Sequence, residues 1–175
     1  TRQDLGEDAP WLASLCQVAF FLRVFASMII YAGPWDRYLF SEDQQGYDYI
    51  PQTLSSYWDG IIFRPAWLDN PEMSGRVGYY GLVAILYYVF GYSFFVPRIV
   101  NCLGGALIVY YGYRLGFDCF GRSAGRIAAL WVAVFPSLIL WSSLNMRDIW
   151  LSVSVIAILW HATRCRERVH VSSLA

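Results

Sequence analysis

Residues 124–163 read AGRIAALWVAVFPSLILWSSLNMRDIWLSVSVIAILWHAT. Two apolar runs, 124–143 and 149–163, flank a short turn that carries Asn145, Arg147 and Asp148. A helix rises ~1.5 Å per residue, so about 20 residues cover a hydrocarbon core of roughly 30 Å. The first run has that length. The second has 15 residues and needs flanking residues or a locally thin bilayer. Pro136 predicts a kink in the first run, because it lacks an N–H and its ring crowds the preceding turn. The pair reads as a transmembrane hairpin whose turn barely leaves the membrane.

Two further spans lie upstream, at 11–32 and 94–115. A fifth apolar stretch, 77–90, makes only about 21 Å of helix; it is rich in tyrosine, ends at Gly91, and fits an interfacial or re-entrant helix. The chain is 57% hydrophobic and 15% charged, against about a quarter charged in soluble domains. The fold class expected is an all-α integral membrane protein with about four transmembrane helices. Interfacial amphipathic helices are expected in a large first loop, 33–93.

Charge placement orients this layout. All 13 basic residues are arginine. Arg114, Arg122 and Arg126 lie between the second and third spans, and Arg164, Arg166 and Arg168 follow the fourth. The positive-inside rule puts both clusters in the cytoplasm. With 77–90 in the interface, both termini are cytoplasmic and the 33–93 loop and the 144–148 turn share the opposite face. With 77–90 as a fifth span the acidic loop and the turn separate, and the arginines alone do not decide between the two layouts. The net charge is zero, which leaves no basic face for nucleic acid. Cys16, Cys102, Cys119 and Cys165 are isolated, without a CxxC or metal-ligand spacing.

The loop carries seven of the 13 acids, among them Glu42, Asp43 and Asp48, in RYLFSEDQQGYDYI at 37–50. Tyr47, Ile50, Leu54 and Tyr57 recur at helical spacing, so 42–59 reads as an amphipathic helix on the membrane, bent at Pro51. Ser41 and Gln44 have capping-box spacing. Asp43 then has two readings: a first-turn acid favoured by the helix dipole, or a general base beside rings that stack on a sugar.

Asn145 and Asp148 have cap-like spacing at the start of the fourth span. Arg147 and Asp148 sit between two spans with almost no loop to solvate them, where charges are paired or functional. There Asp148 is the candidate for a divalent cation and Arg147 for a phosphate. Arg98, near the outer end of the second span, fits pairing with a loop acid or a lipid phosphate. Arg23 lies mid-span and calls for an acidic partner or a polar cavity. Gly104, Gly105, Gly112 and Gly116 offer close approach to another helix.

The order of these pieces resembles the N-terminal part of the GT-C membrane glycosyltransferases, over about residues 12–163. More narrowly, it is similar to bacterial relatives of the dolichyl-phosphate-mannose-protein mannosyltransferases and of the aminoarabinose lipid A transferases. The stretches that carry the resemblance are EDQQGYDYIPQTLSSYWDG, the segment from GYYGLVAILYYVF through YRLGFDCFGR, and AALWVAVFPSLILWSSLNMRDIWLSVSVIAIL. The resemblance implies a polyprenyl-phosphate-linked sugar as donor and work on the extracytoplasmic face of the bacterial inner membrane. It also implies a catalytic acid early in the first loop, matched by Asp43 or, one residue off, Glu42. Asp148 would line the same cavity, with Arg98 and Arg147 as phosphate contacts. The order Glu42-Asp43 reverses the family's frequent Asp-Glu pair. Full enzymes of this kind are longer, so the chain is expected to hold the beginning of the fold and not its completion. The competing expectation is a catalytically silent accessory subunit of the same descent, with membrane lipids and neighbouring membrane subunits as its partners.

Overall fold

The computed structural model describes residues 5–33, 42–65, 68 and 76–172, with the side chains at 5, 42–45 and 166–172 outside that description. Ser41 and the loop residues around 34–40 and 69–75 lie outside it too. The regular elements among the described residues are all helices. A short 3-10 turn, Leu5–Glu7, precedes α1 (Ala9–Ala32), α2 (Glu42–Trp58), α3 (Val77–Phe90), α4 (Phe95–Phe120), α5 (Arg122–Val134), α6 (Pro136–Ser143) and α7 (Asp148–Ser172).

Helices α1 and α4 are long and apolar enough to cross a membrane, and α5 with α6 makes a third span if the bent pair counts as one. The pair is bent by 54°, at the proline that the sequence marks. Helix α3 has 14 residues, too few to cross alone. Helix α7 has 25 residues, but its apolar stretch ends before Arg164. Helix α2 runs unbroken through Pro51.

Polarity is arranged inside out. Phe21, Phe25, Trp131 and Ile158 are each more than 60% exposed, while Arg23, Arg98, Asn101, Ser142, Ser143 and Asn145 are buried. A lipid solvent selects that pattern, since polar groups must find partners within the protein. Helix α4 is central and packs against α1, α5, α6 and α7. Its glycines admit helices of the same chain. A Cβ at Gly125 would come within 2.9 Å of the Tyr113 carbonyl oxygen, and one at Gly116 within 3.0 Å of the Gly125 Cα. The α4–α5 hairpin therefore closes only where both helices lack side chains.

Arg23 corrects one expectation. It has no exposed surface, yet its acceptors are main-chain carbonyls. Nη1 donates to Ala19 O at 2.9 Å and Ala133 O at 3.2 Å, and Nη2 donates to Val132 O at 3.1 Å. The physical reason is the break at Pro136. Proline has no N–H to give the Val132 carbonyl, so the end of α5 presents unmatched acceptors and a negative dipole end. A cation from α1 caps it. Ser143 Oγ in turn donates to Arg23 O at 3.0 Å, which ties α6 to α1.

The two ends of the bundle differ. At the end where the chain begins, Asp8 is 3% exposed and accepts from Tyr113 Oη at 2.6 Å, Arg122 Nε at 2.9 Å and Arg126 Nη2 at 2.5 Å. Those bonds, Arg122's first, hold its carboxyl well below the usual carboxylate range. The opposite end gathers α2, α3, the start of α4 and the α6–α7 connection.

Candidate functional site

Helix α2 places Tyr47, Pro51 and Leu54 on one buried face, at helical spacing. This face meets α3, where the Tyr47 ring stands edge-on to Tyr79 at 5.3 Å and tilted to Tyr80 at 5.5 Å. Ile30, Val83, Tyr87, Leu144 and Met146 complete the apolar cluster. Asp48 follows Tyr47 and so points to the cluster's edge, half-buried.

A directed chain of hydrogen bonds runs into Asp48 from three helices and the connection between α6 and α7. Trp150 Nε1 donates to Asn101 Oδ1 at 2.8 Å, and Asn101 Nδ2 donates to Tyr79 Oη at 2.9 Å. Tyr79 Oη donates to Asn145 Oδ1 at 2.6 Å, and Asn145 Nδ2 donates to Asp48 Oδ1 at 2.6 Å. Tyr87 Oη reaches the same Asp48 oxygen at 3.1 Å. Asn101 Nδ2 also lies 2.7 Å from Leu144 O and 3.0 Å from Met146 O. It thereby satisfies the main chain where the α6–α7 connection leaves helical geometry. Asn145 does not cap α7, contrary to the spacing argument. Its amide is drawn inward because Tyr79, Asp48 and the Tyr47 carbonyl offer buried partners, while the Arg147 carbonyl accepts the first bonds of α7.

Arg98 is 1% exposed, with its guanidinium carbon 3.3 Å from the centroid of the Phe94 ring. Its positive charge favours the ionised form of Asp48. Burial pushes the Asp48 carboxyl up from its ordinary value, against the opposing pull of Asn145, Arg98 and Tyr87. Burial and the nearby Asp48 likewise raise the Tyr87 phenol. Arg147 is half-buried and Asp148 is exposed at the first position of α7. Both act electrostatically on Tyr47.

The structure thus brings Arg98, Arg147 and Asp148 to the end of the bundle that holds α2. Glu42 and Asp43 open α2, a turn before Tyr47, and their side chains lie outside the described residues. Among the described residues no group of three His, Cys, Asp or Glu side chains is placed to hold a metal, and Asp148 offers a single carboxylate. Sequence reasoning assigned no role to Asp48, Asn101, Tyr79, Tyr87 or Trp150. The usable signal was Asn101, an amide amid the apolar residues of α4, where a polar side chain needs a reason.

The family model described as dolichyl-phosphate-mannose-protein mannosyltransferase matches residues 77–174, more than half of the chain. That range holds Tyr79, Arg98, Asn101, Asn145, Arg147 and Asp148, and leaves out α1 and α2. No curated protein and no solved structure matches. With its apolar helices and this match, the chain is an integral membrane protein that belongs to the dolichyl-phosphate-mannose-protein mannosyltransferase family.

Proposed function

We propose that the chain is a module of a GT-C-type membrane glycosyltransferase, transferring a sugar from a polyprenyl-phosphate donor to an acceptor at the extracytoplasmic face. The observation that carries this reading is the convergence of Asp48, Arg98, Asn145, Arg147 and Asp148 at one end of an apolar bundle of this family. In this reading the bundle sits in the bacterial inner membrane with both termini cytoplasmic. Helix α7 is the fourth span, and α2 and α3 lie on the outer surface.

Each part has a task. Arg147, half-buried beside Tyr47, forks onto the donor phosphate, and Arg98 supplies positive charge from behind. Asp43 accepts the proton of the acceptor hydroxyl. The hydroxyl oxygen bonds to the anomeric carbon with inversion, and the bond from that carbon to the phosphate oxygen breaks to release polyprenyl phosphate. The Asp48–Asn145 clasp holds α2, which bears Asp43, against the connection that bears Arg147. Asp148 is a candidate for a divalent cation at this end, and no step depends on it.

The test is photo-crosslinking of the full-length gene product in its native membrane with a photoreactive polyprenyl phosphate. Labelling that unmodified polyprenyl phosphate competes away is expected. Arg147→Gln removes a charge-assisted hydrogen bond of about 1.5–3 kcal/mol, so labelling at limiting probe falls roughly 10–100-fold. Equal labelling of the variant overturns the assignment of Arg147. No specific labelling of the wild type overturns the donor reading and favours an accessory subunit.

A further inference from the structure

The end of the bundle opposite the candidate site holds two charged clusters with different balances. One is closed: Asp8 and Glu7 face Arg122 and Arg126. The other is open. Trp160 on α7 has two guanidiniums near its ring, the Arg114 carbon 5.0 Å and the Arg164 carbon 4.7 Å from the centroid. Among the described residues Asp118 is the carboxylate here, accepting from Trp160 Nε1 at 2.8 Å and from Arg164 Nε at 3.2 Å. It therefore serves Arg164 and the indole. Arg114 is 7% exposed, its Nε has no hydrogen-bond partner, and it forms no ion pair among the described residues.

A buried guanidinium whose Nε lacks a hydrogen-bond partner is costly, and a second cation at the same ring adds repulsion. An anion between the two arginines removes both costs. The cluster sits where α4 ends and where the apolar stretch of α7 gives way to Arg164; with α4 and α7 as spans, as proposed above, that is the depth at which a membrane presents phosphate headgroups. Two planar forks beside an indole suit a phosphate oxyanion.

We propose that Arg114 and Arg164, gathered around Trp160, bind the phosphate of an anionic ligand, either a lipid headgroup or free phosphate. This site is separate from the proposed donor site, and its test does not use sugar transfer.

The experiment is native mass spectrometry and thermal unfolding of the full-length protein in detergent. The probes, added in separate titrations, are phosphatidylglycerol, phosphatidylcholine and inorganic phosphate. Phosphatidylglycerol is expected to be retained and to raise the unfolding temperature, with phosphatidylcholine well behind. Arg114→Gln lowers that retention about tenfold, the scale of one lost charge-assisted bond, while Arg122→Gln, in the closed cluster, leaves it unchanged. Stabilisation by inorganic phosphate that Arg114→Gln abolishes supports the same site with a soluble source. Phosphatidylcholine binding as well as phosphatidylglycerol overturns the proposal, as does undiminished retention in Arg114→Gln. If Arg114→Gln does not fold, Arg164→Gln serves, because Arg164 is 41% exposed; unchanged retention there overturns the proposal equally.

Discussion

Asp48 carries a lesson about what a carboxylate does next to a membrane. The sequence presents it as one acid among several, and the resemblance directs attention to Asp43. Its role as the end of a hydrogen-bond chain depends on Asn101, Asn145 and Tyr79, which are distant in sequence and meet only once α2 and α3 dock on the bundle. Spacing alone gave Asn145 the more local role of a cap, because a cap needs only neighbours and a clasp needs the tertiary fold. The buried position gives Asp48 a testable titration. Its carboxyl is raised by burial, so its contribution to stability is full below the unfolded value of about 3.9. That contribution is lost as pH rises through the higher folded value. Measured by thermal unfolding, the wild type minus Asp48→Asn difference should decline as pH increases above about 4. A difference that grows with pH would mean that Arg98 outweighs desolvation. The groups facing Asp48 in that measurement are Arg98, Asn145 and Tyr92, with Tyr87 and Tyr79 from α3.

At the scale of elements, the helices and their breaks were largely legible. The apolar runs mark α1, α4 and the α5–α6 pair, Pro136 marks the bend, and the short 77–90 stretch is α3. Hydropathy reports only length and solvent, so it could not tell what Arg23 binds. The carbonyls it caps exist because Pro136 breaks the span, and no acid is needed. Gly105 is the other half of that arrangement. A Cβ there would fall 2.6 Å from Arg23 Cδ and 2.9 Å from Ser142 Cβ. Gly105→Ala should therefore cost about 1–3 kcal/mol by overpacking. In an Arg23→Met background the added methyl meets a mobile thioether chain, and the cost should shrink. A double-mutant cycle by denaturant unfolding in mixed micelles reads the coupling. Strictly additive costs would show that Arg23 and Gly105 do not share this space.

For the whole molecule, the low charge and high apolar content pointed to a lipid solvent, and the structure fits it: Phe21, Phe25 and Trp131 are exposed while Arg23, Arg98, Asn101 and Asn145 are buried. The resemblance named a family, and the match over residues 77–174 establishes it. The composition of the site was less legible, since it joins residues from α2, α3, α4 and the α6–α7 connection. These parts act as one device. The clasp at Asp48 holds α2, and the Arg23 cap fixes the bent span that leads to Arg147. The most direct measurement is sugar transfer by the full-length gene product in proteoliposomes supplied with polyprenyl-phosphate sugar extracted from the native membrane. Wild type and Asp43→Asn are compared at equal membrane insertion. The account predicts transfer by the wild type and a loss of about 10²–10⁴-fold in the variant, the usual contribution of a general base. Equal transfer by both proteins would contradict it.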